Sequence, residues 1–242
     1  MNAPLQSSIA IADRVAALEW SALREQLDAQ GFATTGPLLE THECRGLAAN
    51  YVDGGYRSRV DMARYNFGRG EYRYYSYPLP PLVAALRGSL YPALADIANS
   101  WHHRMGMEVR FPSDHSEFLA RCHAAGQQRP TPLILRYGPG DYNCLHQDLY
   151  GEHVFPLQIA FLLSAPGADF TGGELVLTEQ RPRMQSRASV VPLALGEGVI
   201  FAVNQRPVRG TRGDYRVTLR HGVSSLRSGE RFTLGVIFHD AT

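Results

Sequence analysis

Lysine is missing altogether: every one of the 24 basic residues is an arginine. This excludes a Schiff-base lysine and a P-loop lysine, so any cation that grips an anionic ligand has to be a guanidinium. Cysteine is scarce, with Cys44, Cys122 and Cys144 odd in number and never in Cys-x-x-Cys spacing. That argues against a disulfide framework or a structural zinc and for a reducing compartment. Net charge is almost absent, at +1, with an isoelectric point near 7.8. No global field draws polyanions, and nucleic-acid binding would have to rest on a local patch. An uncharged apolar run of about 18 residues, enough to span a bilayer, is also lacking. The first twelve residues have neither a charged n-region nor a long apolar stretch. The expectation is a soluble cytoplasmic protein without a membrane segment or leader.

What is present is an ordinary globular composition, 44% hydrophobic over 242 residues, enough for one substantial domain. Two textures divide it. Residues 1–130 read as a helical and lid-forming part packed on a core made by 131–242, the two together forming one structural domain. In the first part Val15, Leu18, Trp20, Leu23 and Leu27 recur at helical spacing, predicting a helix from Asp13 to Gln30 that Gly31 ends. Further helices are expected after Thr41 as N-cap, from Pro80-Pro81 past Leu90 with Pro92 kinking or restarting it, and from Ser113 to His123. His42, His102, His103, His115 and His123 on these helices are expected to pack or lie at the surface rather than bind metal. Between them, Arg57, Arg59, Arg64, Arg69 and Arg73 interleave with Tyr65, Phe67, Tyr72, Tyr74, Tyr75 and Tyr77. This reads either as a β-rich surface loop with half-buried aromatics or as a mobile lid that stacks bases and meets phosphates.

After Pro130-Thr-Pro132 come short apolar runs of strand length: Leu133–Tyr137, Asn143–Tyr150, Val154–Leu163, Glu174–Thr178, Ser189–Leu193, Val199–Val203, Tyr215–Arg220 and Phe232–Phe238. Turn-formers separate them, and no long helix intervenes. The predicted fold is mainly β with flanking helices, an antiparallel double sheet of jelly-roll or cupin-like type.

The chemistry concentrates in Leu133–Gly151, at His146 and Asp148. Residues two apart on an extended chain face the same way, so an imidazole and a carboxylate converge. His221 is the best third partner. Two His and one carboxylate with open positions beside them suit a non-haem Fe(II) that takes O2 and a co-substrate. Arg231, ten residues on, offers a bidentate grip on a carboxylate, and Tyr137 a further hydrogen bond. Thr233 shares the face of Arg231.

Arg136-Tyr-Gly-Pro-Gly-Asp-Tyr-Asn-Cys-Leu-His-Gln-Asp148 resembles the corresponding segment of the AlkB-type demethylases, within the 2-oxoglutarate- and Fe(II)-dependent dioxygenases. The resemblance covers about the last 110 residues. It implies a double-stranded β-helix core, His146, Asp148 and His221 as iron ligands, and Tyr137 and Arg231 on the distal carboxylate of 2-oxoglutarate. It also implies O2 as reactant and alkylated DNA or RNA bases as substrates of an oxidative, DNA repair-like demethylation. Leu135 and Ile237 stand where that pattern has an Asn and a second Arg. Asp169-Phe-Thr-Gly-Gly-Glu-Leu175 and Gly229-Glu-Arg231 are similar instead to the prolyl-hydroxylase branch, which implies a protein or small-molecule substrate. Around this core, Cys144 shares the parity of His146, Glu174 and Asn204 could orient ligands, and Arg206, Arg209 and Arg212 could line an entrance.

Overall fold

The computed structural model describes residues 10–242. The expectation of no leader falls mainly on residues 1–9 and lies outside the described residues. The chain opens with α1 (Ile11–Ala16), α2 (Trp20–Gln30), β1 (Phe32–Pro37) and α3 (Thr41–Ala49). The predicted helix from Asp13 to Gln30 is thus two helices. No Gly or Pro stands at the break; Arg14 ties α1 to α3 by a double ion pair to Glu43 and a bond to Leu38 O, and the Trp20 indole donates back across the break to Val15 O at 3.1 Å. Gly31 does end α2, at φ +84°. Glu40, not Thr41, caps α3, through a reciprocal capping box with Glu43.

Next come β2 (Tyr56–Asp61), β3 (Gly68–Arg69), β4 (Glu71–Tyr75), α4 (Pro81–Arg104) and α5 (His115–Ala124). α4 runs unbroken through Pro92, and the Asp114 carboxylate caps α5. The remaining strands are β5 (Leu133–Tyr137), β6 (Tyr142–His146), β7 (Leu157–Leu162), β8 (Phe170–Gly172), β9 (Leu175–Gln180), β10 (Arg187–Val191), β11 (Glu197–Ala202), β12 (Gln205–Gly210), β13 (Gly213–Val223), β14 (Leu226–Gly229) and β15 (Arg231–Val236).

These strands build a major sheet in the order β1-β11-β7-β15-β5-β4-β2 and a minor one in the order β10-β9-β13-β6-β3, with β12 on β13. This is the double-stranded β-helix, or jelly-roll, core that the strand spacing predicts. The segment with alternating Arg and Tyr is no detached lid: β4 pairs with β5 and extends the major sheet, while β3 pairs with β6. No helix of the described residues is long and apolar enough to cross a membrane.

Alternation along the major strands assigns its two faces. Leu157, Ile159 and Phe161 of β7, Ile134 of β5, Ile200 of β11 and Leu234 and Val236 of β15 pack with α1, α2, α4 and α5 in the main core. The opposite parity, Tyr137, Gln158, Arg231 and Thr233, lines a cavity between the sheets. One apolar face holds the helices, and the other becomes the wall of the site.

Candidate active site

β6 and β13 are neighbours, and their register sets His221 directly opposite His146. Asp148 follows two residues past His146 on the same side. The ligating atoms of the three side chains all lie within 4.8 Å of one another. His221 Nε2 is 3.2 Å from Asp148 Oδ2 and His146 Nε2 3.5 Å from Asp148 Oδ1, and the imidazole centroids are 4.1 Å apart. His146 Nδ1 sits 2.8 Å from Cys144 O; as the N–H donor there it leaves the Nε2 lone pair facing the centre.

Electrostatics favours the ligand forms. Burial alone would raise the carboxyl of Asp148, but the hydrogen bond to His221 and the charges of His221 and His146, with the Tyr150 hydroxyl, hold it well below the carboxylate range. Burial, then the neighbouring His221, pushes His146 below its usual value, towards the form whose lone pair can ligate a metal.

The cavity has a volume of about 370 Å³ and contains the triad, Tyr137, Arg231 and Thr233 together. Arg231 is only 3% exposed and forms no ion pair among the described residues. It donates from one terminal nitrogen to Thr233 Oγ1 at 2.7 Å, while its Nε has no partner. Burial pushes the guanidinium pKa down. Tyr137 is fully buried beside it, ring centroid 5.6 Å from the guanidinium carbon, and its hydroxyl has no partner either. A buried cation and a buried hydroxyl left unmatched are costly, and an anionic ligand in the cavity would satisfy both.

Residues 70–241 match the family described as "Oxygenase, catalysing oxidative methylation of damaged DNA". The chain belongs to this family. The oxygenase is also 51% identical over 164 residues, 68% of its own chain and 70% of the relative, to the uncharacterized protein Rv2227 of Mycobacterium tuberculosis (strain ATCC 25618 / H37Rv). In fold it is similar to an oxidoreductase of the 2OG-Fe(II) oxygenase family from Burkholderia pseudomallei, with TM-score 0.53, 15% identity and coverage of 97% of this chain and 94% of that one. It is likewise similar to a Trichoplax adhaerens prolyl hydroxylase in complex with a hypoxia inducible factor oxygen degradation domain peptide, with TM-score 0.54, 15% identity and coverage of 94% and 91%. At such identity these likenesses concern the fold. The oxygenase's donor set of two imidazoles and a carboxylate is the kind that holds non-haem iron.

Other sequence expectations fare differently. Cys144 lines the cavity and is exposed. Glu174 is engaged with Ser224 and Arg227 rather than with the triad, and Asn204 accepts from Gln147 at 2.7 Å. Arg206 lines no entrance: it is fully buried, paired with Glu179 and bonded to Asp28 O and Ala29 O behind α2. Arg209 and Arg212 are exposed at the β12–β13 hairpin, away from the cavity lining. In the Arg/Tyr segment, Arg57 bonds Pro130 O and stacks on Tyr74, Arg59 pairs with Glu71, and Arg73 bonds Val52 O. Arg64 pairs only loosely, at 3.6 Å, with the half-exposed Asp61, and Arg69 alone of the five has neither an ion pair nor a side-chain hydrogen bond among the described residues. His102, His115 and His123 are bonded to Val109 O, Phe238 O and Asp240 as packing residues, as expected.

Two residues at the centre escaped sequence reasoning. Gln158 Nε2 donates to Asp148 Oδ2 at 2.9 Å, and the Tyr150 hydroxyl donates to Asp148 Oδ1 at 2.7 Å. A lone Gln in the apolar run Leu157–Leu163 was the available signal for the first, and continued parity beyond Asp148 for the second.

Proposed function

We propose that His146, Asp148 and His221 hold Fe(II), that Arg231 with Tyr137 and Thr233 holds the distal carboxylate of 2-oxoglutarate, and that the substrate is an alkylated base in single-stranded nucleic acid. The observation that carries the co-substrate assignment is the buried, unpaired guanidinium of Arg231 in the same cavity as the triad. When bound, Fe(II) with 2-oxoglutarate and O2 supplies an oxidant able to hydroxylate a C–H bond, with succinate and CO2 as co-products. The chain's own part is to hold and orient. Arg231 anchors one end of the dicarboxylate in a buried pocket, which fixes the direction in which the other end reaches the triad. Hydroxylation of an N-methyl group gives a carbinol on the ring nitrogen, which leaves as formaldehyde and restores the base.

Two features support a base as substrate, alongside the family's description. The walls are aromatic, with Phe67, Tyr72, Tyr74 and Tyr150 lining the cavity, a slot suited to a flat ring. At the rim, the exposed rings of Tyr65 and Phe67 stack with centroids 5.6 Å apart, flanked by the exposed Arg64 and Arg69. The near-neutral charge and the internal pairing of the other segment arginines favour a second reading, hydroxylation of a peptide or small molecule.

The test is anaerobically reconstituted enzyme given O2, 2-oxoglutarate and single-stranded oligonucleotides carrying 1-methyladenine or 3-methylcytosine. Mass loss and formaldehyde are followed, with His146→Ala as control. Loss of a methyl group only with the intact triad supports the base reading. Succinate without demethylation discards that substrate class and turns the search to peptides and metabolites.

A further inference from the structure

We infer that Tyr150 and Gln158 are positioning residues that clamp Asp148 from both of its oxygens and thereby set the metal affinity of the centre; the inference rests on the iron site proposed above. A carboxylate that ligates a metal has two oxygens with two lone pairs each, and an unrestrained one rotates about its terminal torsion. Here Oδ1 accepts from the Tyr150 hydroxyl at 2.7 Å and faces His146, while Oδ2 accepts from Gln158 Nε2 at 2.9 Å and faces His221. The two donors come from different elements, so rotation that kept one bond would break the other. Each oxygen retains a lone pair on the side of the imidazoles.

Both donors are themselves held. Gln158 is 4% exposed on β7, in the middle of the major sheet, with its backbone paired to Phe201 of β11. Its Nε2 also stands 3.2 Å from His221 Nε2, so the side chain reaches two members of the triad at once. Tyr150 lies on the irregular segment between β6 and β7, where no ladder fixes it. Gln127 does so instead: fully buried, it donates to Tyr150 O at 3.0 Å and accepts from the His153 amide at 2.7 Å. Gly151 lies against it at φ +89°, and a Cβ there would collide with the Gln127 side chain. The hydroxyl of Tyr74, on the cavity wall, completes the chain by donating to the Tyr150 hydroxyl at 3.1 Å. Tyr74, Tyr150 and Asp148 thus form one hydrogen-bonded line from substrate wall to metal ligand, with Gln158 meeting it from the other side.

Outer partners of this kind change metal affinity by roughly 10- to 100-fold when removed. The experiment titrates the full-length metal-free protein with Co(II), following visible absorption and calorimetry, and compares Tyr150→Phe, Gln158→Met and the double variant. Tyr150→Phe deletes only the hydroxyl, and Gln158→Met keeps a side chain of similar length while removing the amide, whose Oε1 has no partner among the described residues. Expected is wild-type binding, each single variant weaker by roughly 10-fold or more, a double variant weaker still, and an altered Co(II) absorption band, with circular dichroism of the metal-free proteins unchanged. Should one variant fail to fold, the other decides, because the two donors sit on different elements. Wild-type affinity and an unchanged band in the folded variants would overturn the clamp while leaving the iron site standing. A wild-type protein that binds no Co(II) would overturn the iron site itself.

Discussion

Replacing Arg231 with Leu changes two quantities in opposite directions, and the structure sets both. Without ligand, the guanidinium is 3% exposed, has no carboxylate partner and leaves Nε unbonded. Removing an uncompensated buried charge relieves a desolvation cost of about 1–3 kcal/mol, the penalty of a buried unsatisfied group, offset by the lost contacts of the guanidinium with the rings of Phe170 and Tyr137. The metal-free variant is therefore expected to melt no lower than wild type. With co-substrate the sign reverses, because a carboxylate brought into the same pocket would meet no cation. Breaking a buried charge pair by deleting one partner costs about 3–5 kcal/mol, or roughly two to three and a half orders of magnitude in affinity. Anaerobic calorimetric titration of 2-oxoglutarate into the Mn(II)-loaded variant measures the second quantity, and thermal melting without ligand the first. An apparent 2-oxoglutarate affinity within threefold of wild type would refute the assignment of Arg231 as the clamp. A sharp loss of stability in the ligand-free variant would show that the residue is mainly structural.

Other outcomes follow from the same geometry. Tyr137→Phe removes a buried hydroxyl that has no partner, so it should leave stability unchanged or slightly raised while weakening 2-oxoglutarate binding about 5- to 10-fold, the worth of one hydrogen bond; equal KM values would place the hydroxyl outside the site. Arg206→Met should destabilise by about 2 kcal/mol in urea denaturation, since Asp28 O and Ala29 O lose their donor while Glu179 keeps Arg181, yet spare 2-oxoglutarate affinity; an effect on affinity with intact stability would restore Arg206 to the entrance. Burial, then the charge of Arg87, lowers both His115 and His239 to about 4. Between pH 6.5 and 4 the unfolded chain binds protons that the folded one excludes, so stability present above 6.5 is lost as pH falls through that window. His115→Gln, which keeps a donor for Phe238 O, should flatten the slope by about one proton, and an unchanged slope would contradict the buried neutral imidazole.

How far the sequence reached depended on whether a feature is periodic. His146 and Asp148 were legible because a two-residue spacing means a shared side, and Arg231 because it opens an apolar strand. The central strands β5, β7, β11 and β15 were legible as apolar runs. Strands at or near the sheet margins were not: β1, β2, β4 and β12 are half-buried or carry Arg and Pro, and their pairing is decided by partners distant in sequence. Arg206 looked like an exposed loop cation because its neighbours Asn204 and Pro207 are turn formers. Its burial depends on Glu179 and the end of α2, which no local pattern announces. The break between α1 and α2 and the clamp on Asp148 are tertiary in the same sense.

The pairing of His221 with His146 also limits where the chain can change length. Side chains on a strand alternate with period two, so sliding β13 by one position would carry His221 to the outer face of its sheet. Arg220 or Gly222 would arrive in its place, a cation or no side chain at all where a nitrogen lone pair is needed. A one-residue insertion at the Gly210–Gly213 hairpin can be absorbed by the turn, whereas one between Leu219 and His221 that slid the strand would take the imidazole out of the centre and leave the sheet paired. Metal binding at the proposed centre would therefore report strand alignment. It is a property that a misaligned but compact chain would lack, and it can be read without any substrate in hand.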